Sequence, residues 1–71
     1  MEETVLFKDK IWKFSIAMHE EKYVFFAKYI PSFINSGWKF FDDLKSCKTF
    51  ADEYIISYKE NQSKPMLQNH Q

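Results

Sequence analysis

The sequence has no arginine, a single glycine and a single cysteine among its 71 residues. Because Cys47 has no second cysteine to pair with, an intramolecular disulfide is excluded, and an unpaired thiol is typical of a reducing compartment. The single glycine excludes a glycine-rich loop that cradles phosphates. No apolar run approaches the roughly 18 residues of a membrane span, and the first residues are acidic where a signal peptide is basic. We therefore expect a cytoplasmic protein without a membrane partner.

An excess of charge of either sign is also missing. Ten lysines balance ten acidic residues, which gives a net charge of zero and argues against a general binder of polyanions. Arginine, the preferred residue for bidentate contacts to phosphate and guanine, is absent. Abundant lysine, phenylalanine, isoleucine and tyrosine without arginine are typical of an AT-rich coding genome, such as that of a low-GC bacterium or one of its phages.

The chain is rich in aromatic residues, at 20% of its length, and it carries one clear helical pattern. At 100° per residue, the apolar side chains after Phe41 fall in one continuous arc: Leu44, Cys47, Phe50, Ala51, Tyr54, Ile55 and Tyr58. Asp42 and Asp43 suit the start of a helix, where carboxylates cap unpaired N–H groups. Ile56 is the exception and points to the polar side. We predict an amphipathic helix over residues 42–59.

Alternation predicts strands in the first half of the chain. Over residues 11–18, large apolar side chains alternate with polar or small ones, as on a strand with one apolar face. Residues 23–30 are rich in aromatic and β-branched side chains, and Pro31 ends that element. Residues 4–7 are a candidate first strand, and residues 38–40 a candidate short fourth strand after a turn at residues 35–37.

These elements predict an α+β fold. A three-stranded antiparallel sheet, with the fourth short strand left open, is followed by one C-terminal amphipathic helix packed on one face. Residues 1–60 form one compact domain, and the polar residues 61–71 form a disordered tail. The alternative is an all-α bundle, because Tyr23, Phe26, Ala27 and Ile30 also have helical spacing.

The residues that carry enzyme chemistry are few and scattered. His19, His70 and Cys47 are spread along the chain, whereas a metal site needs clustered ligands. Cys47 lies on the apolar arc of the predicted helix, where a thiol is unreactive filler. Carboxylates adjacent on a helix point about 100° apart and do not converge on a substrate. We therefore predict no enzyme activity, no cofactor, no metal and no small-molecule substrate.

Two binding functions remain. Tyr23, Phe25, Ala27 and Tyr29 would form one face of the third element, and the face that the helix does not cover would hold Val24, Phe26 and Ile30, with Lys28. An exposed aromatic face usually marks a protein–protein site. The predicted partner-binding residues are Val24, Phe26, Lys28, Phe33 and Trp38, unless residues 31–38 fold back over this face.

The resulting hypothesis is a small protein-interaction module or inhibitor that binds a protein partner or itself; a phage-encoded, host-targeting protein would fit it. The alternative is a small nucleic-acid-binding module, because Lys13, Lys22, Lys28 and Lys39 are interleaved with aromatic residues and single strands bind to aromatic side chains flanked by basic ones.

Overall fold

A computed structural model describes residues 2–63 of the protein. Within these residues, four strands and one helix follow one another along the chain: β1 (Glu3–Lys8), β2 (Trp12–His19), β3 (Lys22–Tyr29), β4 (Ile34–Phe41) and α1 (Leu44–Ser63). The strands are antiparallel and lie in chain order, so each pairs with the next. The predicted α+β fold is confirmed and the all-α alternative is excluded. No helix in the described part of the chain is long and apolar enough to cross a membrane.

The fourth strand is longer than predicted. It runs over Ile34–Phe41 and includes residues 35–37, which were expected to form a turn. The register between β3 and β4 shifts between Phe25 and Ala27, and Gly37 has a φ of 68°. Glycine adopts positive φ without steric cost and therefore allows a β-bulge at this point. The turn prediction is wrong because the glycine bends a strand instead of ending one.

The hairpin between β2 and β3 turns on two glutamates. His19 pairs with Lys22, so only Glu20 and Glu21 connect the strands. Their φ angles are 52° and 67°, as a type I′ turn requires, and such turns usually contain Asn-Gly. A non-glycine residue at positive φ costs free energy. This turn therefore stores backbone strain on the rim of the sheet.

Helix α1 begins after an aspartate cap. The Ser46 backbone N–H donates to Asp43 Oδ2 at 2.9 Å, as expected of an N-cap residue, and this bond holds the pKa of Asp43 below its usual value. The helix starts at Leu44 and ends at Ser63, so it begins two residues later and ends four residues later than predicted. Residues 61–63 of the predicted tail are helical, and residues 64–71 lie outside the described residues.

The helix packs on one face of the sheet, which we call the helix face. Three buried helix residues, Cys47, Ala51 and Ile55, pack in one cluster with buried residues of β2 and β3. These strand residues are Phe14, Ile16, Phe25 and Ala27. Most of the helical arc predicted from the sequence thus closes this core, whereas Leu44 and Tyr54 on the same arc remain partly exposed. Ile56 points to solvent, as its position outside the arc predicted.

A polar contact fastens the far end of the helix to the first turn. Asp9 Oδ1 accepts the N–H groups of Ile11 and Trp12, both at 2.8 Å. Its Oδ2 accepts the Tyr58 hydroxyl at 2.6 Å. Burial, and secondarily the Asp9 carboxylate, raises the pKa of Tyr58 to about 12. The hydrogen bonds that Asp9 accepts lower the pKa of its carboxyl group, and the bond from the Trp12 N–H has the largest effect.

Candidate functional site

The sheet face opposite the helix, here called the open face, has no helix or strand of residues 2–63 packed over it. Side chains alternate between the two faces of a strand, and directly paired residues share a face. The strand pairings and ring contacts therefore assign these residues to the open face: Glu3, Val5 and Lys8 on β1; Lys13, Ser15, Ala17 and His19 on β2; Lys22, Val24, Phe26 and Lys28 on β3; Asn35, Trp38 and Phe40 on β4.

The centre of the open face is apolar and partly covered by its own aromatic rings. Ala17, Val24 and Phe26 form a small buried cluster. The Trp38 indole stacks on the Phe26 ring with centroids 4.7 Å apart and planes 15° from parallel. Since one ring face is stacked, the 44% of Trp38 that is exposed includes its outer side. Phe40, paired with Val24, is 50% exposed. We call Trp38 and Phe40 the aromatic shelf.

The five predicted partner-binding residues are split by this arrangement. Val24 and Phe26 are buried on the open face, so Trp38 and Phe40 lie nearer to an approaching partner. Phe33 projects from the turn before β4 and is 74% exposed, with the Lys28 ammonium 5.7 Å from its ring centroid. The alternative that residues 31–38 fold back over this face holds only for Trp38, which covers Phe26 from the neighbouring strand β4, whereas Phe33 and Ile34 are exposed. Partner binding by the five residues stays a prediction.

Sequence reasoning missed Phe40 as part of this surface. A fourth strand predicted to span only residues 38–40 leaves the side of the sheet on which Phe40 lies unassigned. Two-residue alternation from Trp38 was the available signal: it places Trp38 and Phe40 on one face and Lys39 on the other. The Lys39 ammonium indeed lies 5.6 Å from the Phe50 ring on the helix face.

Three lysines stand side by side at one end of the open face. Lys8 pairs with Lys13, and Lys13 pairs with Lys28, so the three side chains form one row across β1, β2 and β3. Like charges directly opposite each other on a sheet are destabilising. We call Lys8, Lys13 and Lys28 the lysine row.

A single carboxylate offsets part of this charge. Glu3 Oε2 lies 2.9 Å from the Lys13 ammonium and accepts the Ser15 hydroxyl at 3.0 Å. The Lys13 bond is the main reason that the pKa of Glu3 falls below its usual value, and Lys28 contributes at longer range. Ser15 is fully buried and has its hydroxyl satisfied by this contact. The lysine row together with Glu3 keeps a net charge of two positive units.

The opposite end of the open face is acidic. The Glu20 carboxylate lies 3.8 Å from His19 Nε2, and the Asp42 carboxylate meets the Lys22 ammonium. Glu21 completes the hairpin turn at this end. We call Glu20, Glu21 and Asp42 the acidic end. With Lys22 counted and His19 neutral, it carries a net charge of two negative units, so the two ends of the open face differ in sign.

The remaining reactive groups lie apart from one another. Cys47 is fully buried under the helix, and burial raises the pKa of its thiol. His19 packs its ring 6.3 Å from that of Phe40. Among residues 2–63, no group of three or more His, Cys, Asp or Glu side chains is placed to hold a metal ion. His70 lies outside the described residues.

Fold and surface together define a class: a small α+β domain, a four-stranded meander with one helix, whose second sheet face carries an aromatic shelf between ends of opposite charge. No family model matches the chain, and no curated protein or solved structure is significantly similar to it. Function is therefore inferred from the geometry of the open face.

Proposed function

We propose that the protein is a non-enzymatic interaction module that binds a protein partner, or a second copy of itself, through the open face. The observation that carries the proposal is the aromatic shelf: Trp38 and Phe40 are large, half-exposed and adjacent on a face that no other element of residues 2–63 covers. Aromatic side chains are enriched among the residues that dominate binding at protein interfaces. The predicted cytoplasmic location and host-targeting role belong to the same proposal.

The aromatic shelf is pre-oriented and flanked by charged residues, as expected of the centre of a binding interface. Trp38 rests on Phe26 and is thereby held in one orientation before any partner arrives. A pre-oriented ring loses little conformational entropy when it is buried, which favours affinity. Charged residues lie at both ends of the shelf and not within it, as in an interface with an apolar centre and a polar rim.

A matched pair of variants tests this function. Phe40 and Ile56 are 50% and 54% exposed, on the open face and on the outer side of the helix. We expect Phe40→Ser to abolish the capture of partners by the tagged chain in cells that produce it, untagged copies of the chain included. Ile56→Ser should retain them, because it removes a similar apolar area elsewhere. Equal capture by both variants would refute the open face as the interface.

Nucleic-acid binding is the second candidate, favoured by the lysine row on the same face as Trp38. Lys13, Lys22 and Lys28 do lie on the open face, but Lys22 is paired with Asp42 and Lys39 points to the helix face. This function predicts that an oligonucleotide quenches Trp38 fluorescence and that added salt reverses the quenching. Quenching that persists in Lys8→Gln/Lys28→Gln would contradict it.

A further inference from the structure

The charges of the open face are arranged so that one copy complements another. The lysine row lies at the end of the sheet that holds the β1–β2 turn, and the acidic end lies at the β2–β3 turn. Each end carries two net charges, of opposite sign. A surface with this polarity attracts a copy of itself when that copy is turned end for end.

We propose that a second copy of the chain occupies the open face, with its strands reversed, in a two-fold symmetric dimer. This inference rests on the proposed function and names the partner. The symmetry axis lies between the two sheets and runs across the strands, which places each lysine row against the acidic end of the other copy. The same operation brings Trp38 of one copy over Phe40 of the other, because their rows are symmetric about the middle of the face.

The area of the open face is large enough for a dimer of moderate affinity. Four strands, one of six residues and three of eight, span about 19 Å by 26 Å, or roughly 500 Å² in projection on each copy. Two such faces bury roughly 1,000 Å², near the lower limit of specific interfaces. Sheets that pack face to face are common, with strands aligned to within about 30°. We therefore expect association in the micromolar range, not a permanent dimer.

Other arrangements of two copies fit less well. Rotation about an axis parallel to the strands would set one lysine row against the other. Pairing through a sheet edge is hindered because the register of both edge strands is interrupted, in β1 between Val5 and Phe7 and in β4 opposite Phe26. Irregular edges of this kind discourage the addition of a further strand.

A nucleic acid also matches the lysine row but not the rest of the face. A single strand carries a phosphate at every nucleotide and needs a basic groove that follows its backbone. Here the lysine row crosses the strands at one end, and the aromatic shelf beside it is uncharged. The charge pattern therefore favours the second copy.

Sedimentation equilibrium of the purified full chain, from about 1 μM to about 1 mM, is the first measurement. We expect the average mass to rise from that of one chain to that of two. Phe40→Ser should raise the dissociation constant by about tenfold or more, since each dimer contains the Phe40 contact twice. Ile56→Ser should leave the constant unchanged. The proposal is overturned if the chain stays monomeric throughout, or if Phe40→Ser leaves the dissociation constant of the dimer unchanged.

Charge reversal then tests the arrangement. Lys8→Glu/Lys28→Glu makes one end acidic, and Glu20→Lys/Glu21→Lys makes the other end basic. Each variant alone should dimerise about tenfold more weakly, because like charges then face each other twice. An equimolar mixture should regain the affinity of the unmodified chain, because both contacts again join opposite charges. Circular dichroism spectra that match the unmodified chain establish that both variants fold.

The outcomes separate the two levels of the proposal. No weakening in either variant, or no recovery in the mixture, overturns the reversed arrangement. A monomeric chain that still captures another protein through Phe40 overturns the dimer and leaves the proposed function standing. A monomeric chain whose Trp38 is quenched by an oligonucleotide, reversibly with salt, overturns the dimer in favour of nucleic-acid binding.

Discussion

Phe25 and Phe26 are neighbours in the sequence, yet their surroundings differ. Phe25 is enclosed on the helix face by three aromatic rings, those of Phe14, Phe50 and Tyr54. Phe26 on the open face stacks with the ring of Trp38. Both are buried, but the first is covered by a second layer of structure and the second by a single side chain. We therefore expect packing on the helix face to contribute more to the stability of the fold than packing on the open face.

The matched truncations Phe25→Ala and Phe26→Ala give the largest effect. Removing Phe25 should reduce the free energy of unfolding by about 4 kcal/mol, near the upper range for a buried aromatic. Removing Phe26 should cost about 2 kcal/mol, because Trp38 can settle into the space and relieve the cavity. Chemical denaturation at submicromolar concentration, well below the expected dissociation constant of the dimer, measures both losses. Equal losses would show that the two faces stabilise the fold alike.

One small buried side chain on each face, Cys47 on the helix face and Ser15 on the open face, sharpens the same comparison. Cys47→Ser places a hydroxyl in the apolar layer under the helix and should cost about 1–2 kcal/mol. Ser15→Ala removes one donor to Glu3, which keeps its contact with Lys13, and should cost about 0.5 kcal/mol or less. The same denaturation experiment measures the loss of unfolding free energy in both variants. A larger loss for Ser15→Ala would mean that the hydrogen bond to Glu3 contributes more to the free energy of unfolding than the apolar surroundings of Cys47.

Tyr58→Phe tests how the helix end is held on its face. Loss of the bond to Asp9 should lower stability by about 1 kcal/mol. The folded pKa of Tyr58 is about 12 against an ordinary value of 10.0, so the unmodified chain has this stabilisation fully below pH 10. It loses the stabilisation as the pH rises from 10 to 12. Denaturation from pH 8 to 12 should therefore show the two chains converging, and a constant difference would contradict the assignment.

A small gain in stability is expected at the strained turn, which lies at the acidic end of the open face. Glu20→Asn/Glu21→Gly should raise stability by about 0.5–1 kcal/mol, because these residues adopt positive φ at lower cost. Glu20→Gln/Glu21→Gln is the matched control: it removes the same charges without relieving the backbone. A gain in the control as large as in the turn variant would assign the effect to charge instead of conformation.

The sequence was sufficient for the helix face and less so for the open face. A helical period places Cys47, Ala51 and Ile55 on one arc whatever the helix packs against, so the buried side of α1 could be predicted. Alternation likewise separated Phe25 from Phe26. The full length of the fourth strand was missed because Gly37 at positive φ gives the same sequence signal in a bulge as in a turn.

The lysine row could not be predicted because it depends on pairing register. Lys8, Lys13 and Lys28 lie in different strands, and their alignment is set by hairpin lengths and by the irregularity between Val5 and Phe7. A shift of one residue would move Lys8 to the helix face. The turn between β2 and β3 does not fix this register through its sequence, since Glu20-Glu21 lacks the usual turn residues.

The strand order has a consequence for how the chain folds. Because β1 to β4 pair only with their neighbours along the chain, each hairpin closes a short loop, and such local contacts form quickly. The hydrogen bond between Asp9 and Tyr58 joins residues 49 positions apart and closes a much longer loop than any of the hairpins. We expect the meander to form before the helix end docks, so Tyr58→Phe should speed unfolding and leave the refolding rate nearly unchanged.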